Sequence, residues 1–64
     1  MKIRDAIRTV EADGWHLIRM KGSHRQFKHD SKPGLVTIAG HPSKELHPET
    51  LHSIWKQAQL GGRP

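Results

Sequence analysis

One histidine in a basic segment is the side chain of this sequence best placed to do chemistry. His24 ends the tripeptide Gly22-Ser23-His24, which lies inside the Lys- and Arg-rich segment 19–29. Imidazole, with an ordinary pKa of about 6.5, accepts or donates a proton near neutral pH. Clustered Lys and Arg side chains attract phosphate groups. The combination favours proton transfer at a phosphodiester, and so the binding and cleavage of RNA.

RNA cleavage needs no metal when a base removes the proton of a ribose 2′-hydroxyl and an acid protonates the departing 5′-oxygen. We assign His24 this general acid/base role. Negative charge builds up on the phosphate in the transition state, and nearby cations stabilise it. Side chains alternate along a strand, so Lys28 shares the side of His24 whereas Arg25 points the other way. The candidate RNA-binding residues are Lys21, Ser23, Arg25 and Lys28. Of the cations, Lys21 and Lys28 are expected to contact phosphate before Arg25.

Simpler interpretations of the tripeptide stay open. His24 could be an exposed turn histidine with no role, since short motifs also occur by chance. Ser23 could act as a nucleophile, but no acidic residue stands at a spacing that would orient its base, and serine is a common turn former. The second proton-transfer group is not identified, and water, Ser23 or a lysine are the candidates.

The remaining histidines and the tryptophans favour structural roles. Histidine is commonly a surface or half-buried residue, which suits strand ends, loops and helix surfaces. The histidines concerned are His16, His29, His41, His47 and His52. No pair of them has close spacing with a third ligand nearby, so we predict neither a metal site nor a cofactor. Trp15 and Trp55 could stack on bases, but core packing is favoured in so small a domain.

Composition indicates a small soluble chain with a polyanionic partner. Its 64 residues allow a single domain, residues 1–64. The net charge of +5 and the pI near 10.3 favour nucleic acid as the partner. Absence of cysteine excludes disulfides and thiolate–zinc sites, and it suits the cytoplasm. The charged N-terminal segment contains no apolar run of the kind a signal peptide carries, so we expect no signal peptide, and no run approaches the ~20 apolar residues of a membrane span.

Hydrophobic spacing predicts two helices, one near each end of the chain. The first helix covers about residues 2–13 and ends at Gly14, with an apolar stripe of Ile3, Ala6, Ile7 and Val10. The second helix begins at Pro48 and ends at Gly61, with an apolar stripe of Leu51, Ile54, Trp55 and Ala58. Residues 61–64 are expected to form a flexible tail.

Three strands are predicted between the helices, at residues 15–20, 24–29 and 35–39. In the first strand, regular alternation places Trp15 and Leu17 on one face and His16, Ile18 and Met20 on the other, and both sets contain apolar residues. The short connections predict antiparallel hairpins. We therefore expect an α+β fold with the order helix, three-stranded antiparallel sheet, helix, in which two helices cover one face of the sheet.

The motifs in this order resemble the HicA toxins over residues 2–60. They are Gly22-Ser23-His24 at the start of the second strand, Gly40-His41-Pro42 after the third, and the closing segment 51–58. The resemblance implies a fold similar to the double-stranded RNA-binding domain. It also implies an mRNA interferase, with His24 as its catalytic histidine, and a HicB-like antitoxin as its partner. The sequence departs from the family at Ala39, where many relatives carry proline, and at His47-Pro48-Glu49, in a variable loop.

Two other function classes stay open. A non-catalytic module similar to a double-stranded RNA-binding domain would read RNA through basic loops and 2′-hydroxyl contacts. It would bind RNA with a steep salt dependence and release no fragments. An interaction subunit would dock its basic face on an acidic protein. This last class is compatible with a toxin, because an antitoxin must cover the toxic surface.

Overall fold

Two helices cover one face of a three-stranded antiparallel sheet in the computed structural model, which describes residues 1–60. The elements are α1 (Ile3–Ala12), β1 (His16–Lys21), β2 (His24–Lys28), β3 (Val36–Ala39) and α2 (Pro48–Gln57). The strands lie in the order β1-β2-β3, so β2 is central. The predicted α+β class and element order are confirmed, with small shifts at the ends of the elements.

The first helix follows its predicted hydrophobic pattern. Ile3, Ala6 and Val10 are buried on one face of α1. At its beginning the Lys2 backbone N–H donates to Asp5 Oδ2 over 2.9 Å, which satisfies an amide that lacks a partner inside the helix. At its end Gly14 takes a φ of 107°, in the left-handed region that favours glycine. The predicted end of the helix at Gly14 is confirmed.

Gly14 also has no room for a side chain. A Cβ at this position would stand 2.7 Å from His29 Nε2. Gly34 also has a positive φ, 83°, but a Cβ there would meet no other atom within 4 Å. We expect Gly14→Ala to destabilise the fold by about 2–4 kcal/mol, since it adds displacement of a packed ring to a backbone strain of about 1–3 kcal/mol. Gly34→Ala is the matched control, because it carries the strain without the clash. Urea denaturation of both variants measures the difference, and equal losses would contradict the steric account.

The core between the sheet and the helices is small and centres on Trp15. Its side chain is 1% exposed, and Trp15 Nε1 donates to the Ala58 carbonyl over 3.3 Å. The ring packs edge-on against His29, with centroids 5.3 Å apart. Trp55, for which the sequence also favours core packing, is only half-buried and packs against the margin of the core. Phe27, Val36 and Ile38 supply the apolar surface of the sheet.

The end of α2 differs from the prediction. The helix ends at Gln57, and Gln59 takes a φ of 53°. The Gln59 N–H donates to Lys56 O over 3.2 Å, and the Leu60 N–H donates to Trp55 O over 3.1 Å. These are the two hydrogen bonds that define a Schellman motif. Gly61 is therefore not where the helix stops. The predicted tail at residues 61–64 lies outside the described residues.

A charged clamp joins the ends of both helices to the loop before β3. Lys32 Nζ donates to Asp13 Oδ2 over 2.6 Å, and it also reaches the Ala58 and Gln59 carbonyl oxygens over 3.4 and 3.2 Å. The hydrogen bond from Lys32 lowers the pKa of the Asp13 carboxyl below its usual value. On the other side His29 Nε2 donates to the Asp13 carbonyl over 2.6 Å.

Among the described residues, no helix is long and apolar enough to cross a membrane.

A β-bulge in β1 changes which side chains face the open side of the sheet. Leu17 pairs with Phe27 and Arg19 pairs with Gln26, so Ile18 is an extra residue without a partner in β2. The extra residue reverses the alternation along the strand. The prediction of regular alternation in β1 is therefore wrong at this point.

Directly paired residues of antiparallel strands share a face of the sheet. Met20 pairs with Arg25 and therefore lies on the helix side, whereas His16 pairs with Lys28 and lies on the open side. By the same rule, Arg19 and Lys21 lie on the open side, because Arg19 pairs with Gln26 and Lys21 pairs with His24.

Candidate functional site

A tight hairpin presents His24 at the edge of the open face. Lys21 and His24 form the last pair of β1 and β2, so Gly22 and Ser23 are the whole loop. Gly22 takes a φ of 59°, as glycine does at the first loop position of type II′ hairpins. His24 is exposed to solvent. The sequence motif thus places an accessible histidine opposite Lys21 across the hairpin.

A shallow groove of about 250 Å³ surrounds this imidazole. It is lined by Arg19, Lys21, His24, Gln26 and Thr37. These residues come from all three strands, and cross-strand pairing explains their grouping, because Arg19 faces Gln26 and Gln26 faces Thr37. Of the described residues, no carboxylate lines the groove. The groove therefore presents two cations, a polar amide and a hydroxyl to a ligand beside the imidazole.

Lys28 lies on the face of His24, as strand alternation predicts, and its contact with RNA stays a prediction. Lys28 stands four residues along the strand, roughly 13 Å away at the usual rise of a strand, and it does not line the groove. Arg19, which sequence reasoning missed, does line it. The bulge at Ile18 hid Arg19, because regular alternation would have turned its side chain to the helix side.

Arg25 is buried and does not line the groove. Its exposed fraction is 7%, and within residues 1–60 it is the charged residue that is buried. Arg25 Nη1 donates to the Gly40 carbonyl over 2.9 Å and to the Ser23 carbonyl over 3.2 Å. These hydrogen bonds give Arg25 a structural role, and RNA binding by Arg25 stays a prediction. Arg25 ties the turn that carries His24 to the loop after β3.

Ser23 also acts through its backbone in this arrangement. Its carbonyl accepts a second hydrogen bond, from the Gly40 N–H over 3.2 Å. The turn is thus held from two sides, by a buried guanidinium and by a neighbouring amide. This is in keeping with serine as a turn former, and it fixes the position from which β2 starts.

The other histidines lie apart from the groove. His29 is half-buried against the core residue Trp15, and its Nδ1 accepts a hydrogen bond from the Ser31 N–H over 3.0 Å. His41 bonds within its own loop, where its Nδ1 accepts from the Ser43 N–H over 3.2 Å. Within residues 1–60, no group of three potential metal-binding side chains converges. His24 is therefore the histidine that the structure combines with cations in an open groove.

Comparison with known proteins agrees with this arrangement. The family model described as "HicA toxin of bacterial toxin-antitoxin" matches residues 3–60. The chain belongs to the HicA toxin family. No curated protein matches it. The family match spans both helices and all three strands, so it includes every residue of the groove around His24. The expected resemblance to HicA toxins is confirmed, and with it a role as the toxin of a toxin–antitoxin system.

Proposed function

We propose that this HicA toxin is a metal-independent endoribonuclease, an mRNA interferase that acts in the cytoplasm. One observation carries the proposal: the exposed His24 imidazole lies in a groove whose charged neighbours, Arg19 and Lys21, are both cations. A groove with this charge attracts a phosphodiester and repels cationic ligands. A histidine there is the group that can move protons near neutral pH.

In the proposed reaction the His24 imidazole takes the proton of a ribose 2′-hydroxyl. The 2′-oxygen attacks the adjacent phosphorus, the bond from phosphorus to the 5′-oxygen breaks, and that oxygen takes up a proton. The products are a 2′,3′-cyclic phosphate and a free 5′-hydroxyl. Lys21 and Arg19 stabilise the negative charge that gathers on the phosphate oxygens during the attack. Of the candidates for the second proton-transfer group, Lys21 is the one directly paired with His24.

The proposed partners are messenger RNA and a HicB-like antitoxin. The toxin's net charge of +5 favours both a polyanionic substrate and an acidic inhibitor. An inhibitor of this kind would block the groove by covering the cations that bind the substrate.

The decisive experiment is incubation of the purified protein with RNA in the presence of EDTA. We expect fragments that end in 2′,3′-cyclic phosphates. A DNA oligonucleotide of the matching sequence is the control, and it should stay intact because it lacks the attacking 2′-oxygen. Fragments that end in phosphate monoesters from the start, or cleavage abolished by EDTA, would contradict the mechanism. Retarded RNA without fragments would indicate the non-catalytic binding module instead.

Lys21 lines the groove whereas Arg25 is buried, which supports Lys21 over Arg25 as an RNA contact. We expect Lys21→Ala to lower the salt slope of RNA binding by about one, the change that follows from losing one phosphate contact. Arg25→Met should leave that slope unchanged, because the guanidinium is buried against the Ser23 and Gly40 carbonyls. Titrations of uncleavable RNA at several salt concentrations measure both slopes, with circular dichroism to confirm that each variant is folded. A reduced slope for folded Arg25→Met would restore Arg25 to the RNA-binding set.

A further inference from the structure

The two edges of the sheet are not equivalent. At β3 the outward Thr37 N–H donates to Gln57 Oε1 of α2 over 2.9 Å, and Gln57 Nε2 in turn donates to Ser53 Oγ over 3.1 Å. At β1, no described residue outside β2 forms a backbone hydrogen bond with residues 16–21. The helix layer therefore engages the β3 edge at Thr37, whereas within residues 1–60 the outer edge of β1 has no backbone partner.

The free edge is also unusually apolar for a surface strand. Leu17 is 47% exposed, Ile18 49% and Met20 55%. Leu17 and Met20 lie on the helix side of the sheet, but the helices pack over β3 and leave β1 at the margin. Half-exposed apolar side chains in a row beside unpaired backbone groups are the features of a surface that adds a strand.

The opposite side of the same strand is cationic. Arg19 and Lys21 face the open side of the sheet, and His16 joins them there. β1 therefore presents apolar side chains on one face and positive charges on the other. A strand laid beside it would need the complementary alternation, with apolar residues next to Leu17 and Met20 and acidic residues next to Arg19 and Lys21.

We propose that β1 is the docking edge for an extended segment of the antitoxin, in which acidic residues alternate with apolar residues. A second copy of β1 is disfavoured as the occupant, because pairing two such strands would bring like charges together. An added strand would place its acidic face next to Arg19 and Lys21, and so at the rim of the groove. One contact would then both hold the partner and neutralise the cations of the site.

The test uses the full chain labelled with ¹⁵N and two synthetic peptides of about ten residues, a long strand. In the first peptide Glu alternates with Val, and in the second Lys replaces Glu. We expect only the acidic peptide to shift the amide resonances of residues 16–21 and to slow their hydrogen exchange. Since the need for an inhibitory partner rests on the proposed function, the readout is binding without RNA, which stays interpretable if the chain cleaves nothing.

Three variants test the site of binding. Leu17→Glu and Met20→Glu should each reduce the affinity for the acidic peptide by about tenfold or more. Each substitution puts a negative charge where the apolar side chains of the peptide would pack. Leu35→Glu is the matched control, since Leu35 is 45% exposed but lies outside β1, and it should leave the affinity unchanged. Circular dichroism of the free variants checks that each is folded.

Each of four results would overturn the proposal. The first is no binding of the acidic peptide, and the second is equal binding of the Lys peptide. The third is resonance shifts confined to the groove around His24 and unaffected by the β1 variants, which would show a polyanion bound at the active site. The fourth is protection of β1 that rises with protein concentration without peptide, which would show a second copy on this edge.

Discussion

Replacing His24 with alanine should reduce the rate of RNA cleavage by about 10²–10⁴-fold, the usual contribution of a general acid–base group. The side chain is exposed and lies at the end of a hairpin, so its removal should leave the fold intact. RNA binding should also persist, because Arg19 and Lys21 stay in the groove. Single-turnover cleavage of a defined RNA measures the rate, and retardation of an uncleavable RNA measures the binding.

His16→Ala is the matched control for this substitution. His16 is also exposed and lies on the open face of the sheet, but it pairs with Lys28 and does not line the groove. Its loss should leave the cleavage rate close to that of the wild type, because His16 lies outside the groove. Equal rates for wild type and His24→Ala would remove His24 from the mechanism. In cells, expression of the wild type should arrest growth, and expression of His24→Ala should not.

The second large effect concerns stability. Trp15→Ala should lower the free energy of unfolding by about 3–5 kcal/mol, the range for a large aromatic side chain removed from a core. A domain of this length is expected to have only roughly 3–10 kcal/mol in total. The substitution would also leave the Ala58 carbonyl without its indole donor and His29 without its ring contact. A large share of the variant should therefore be unfolded at 37 °C.

Trp55→Ala provides the comparison for Trp15→Ala. Trp55 is half-buried at the margin of the core, so its removal should cost about half as much as that of Trp15. Urea denaturation followed by far-ultraviolet circular dichroism measures both without relying on tryptophan fluorescence. Equal losses for the two variants would contradict the central position of Trp15 in the core.

The helices and their buried faces could be predicted from the sequence because their apolar spacing is regular. Ile3, Ala6 and Val10 recur at helical spacing and are buried together. The end of α2 could not be predicted in the same way. Glycine at Gly61 was the natural candidate, but a Schellman motif at Gln59 ends the helix earlier, and its stabilisation comes partly from Gln59 Nε2 donating to the distant Pro33 carbonyl over 2.9 Å.

The candidate site shows the same division between local and long-range information. The turn that presents His24 is local, and so it could be read from Gly22-Ser23-His24. The bulge at Ile18 depends on the pairing of two strands, and it decides that Arg19 reaches the groove. The burial of Arg25 depends on the Gly40 carbonyl, 15 residues further along the chain. Strand alternation predicted that Arg25 points away from His24, but it could not predict that the guanidinium would be buried against a carbonyl from the loop after β3.

The double attachment of the hairpin has a consequence for regulation. The Arg25 guanidinium and the Gly40 amide hold the turn, so the groove is already formed in the free chain. No described segment covers His24. If cleavage at His24 is confirmed, this toxin would emerge from the ribosome competent as soon as it folds. Its safety for the host would then depend on timing, with an inhibitor that is made before it, or in excess of it.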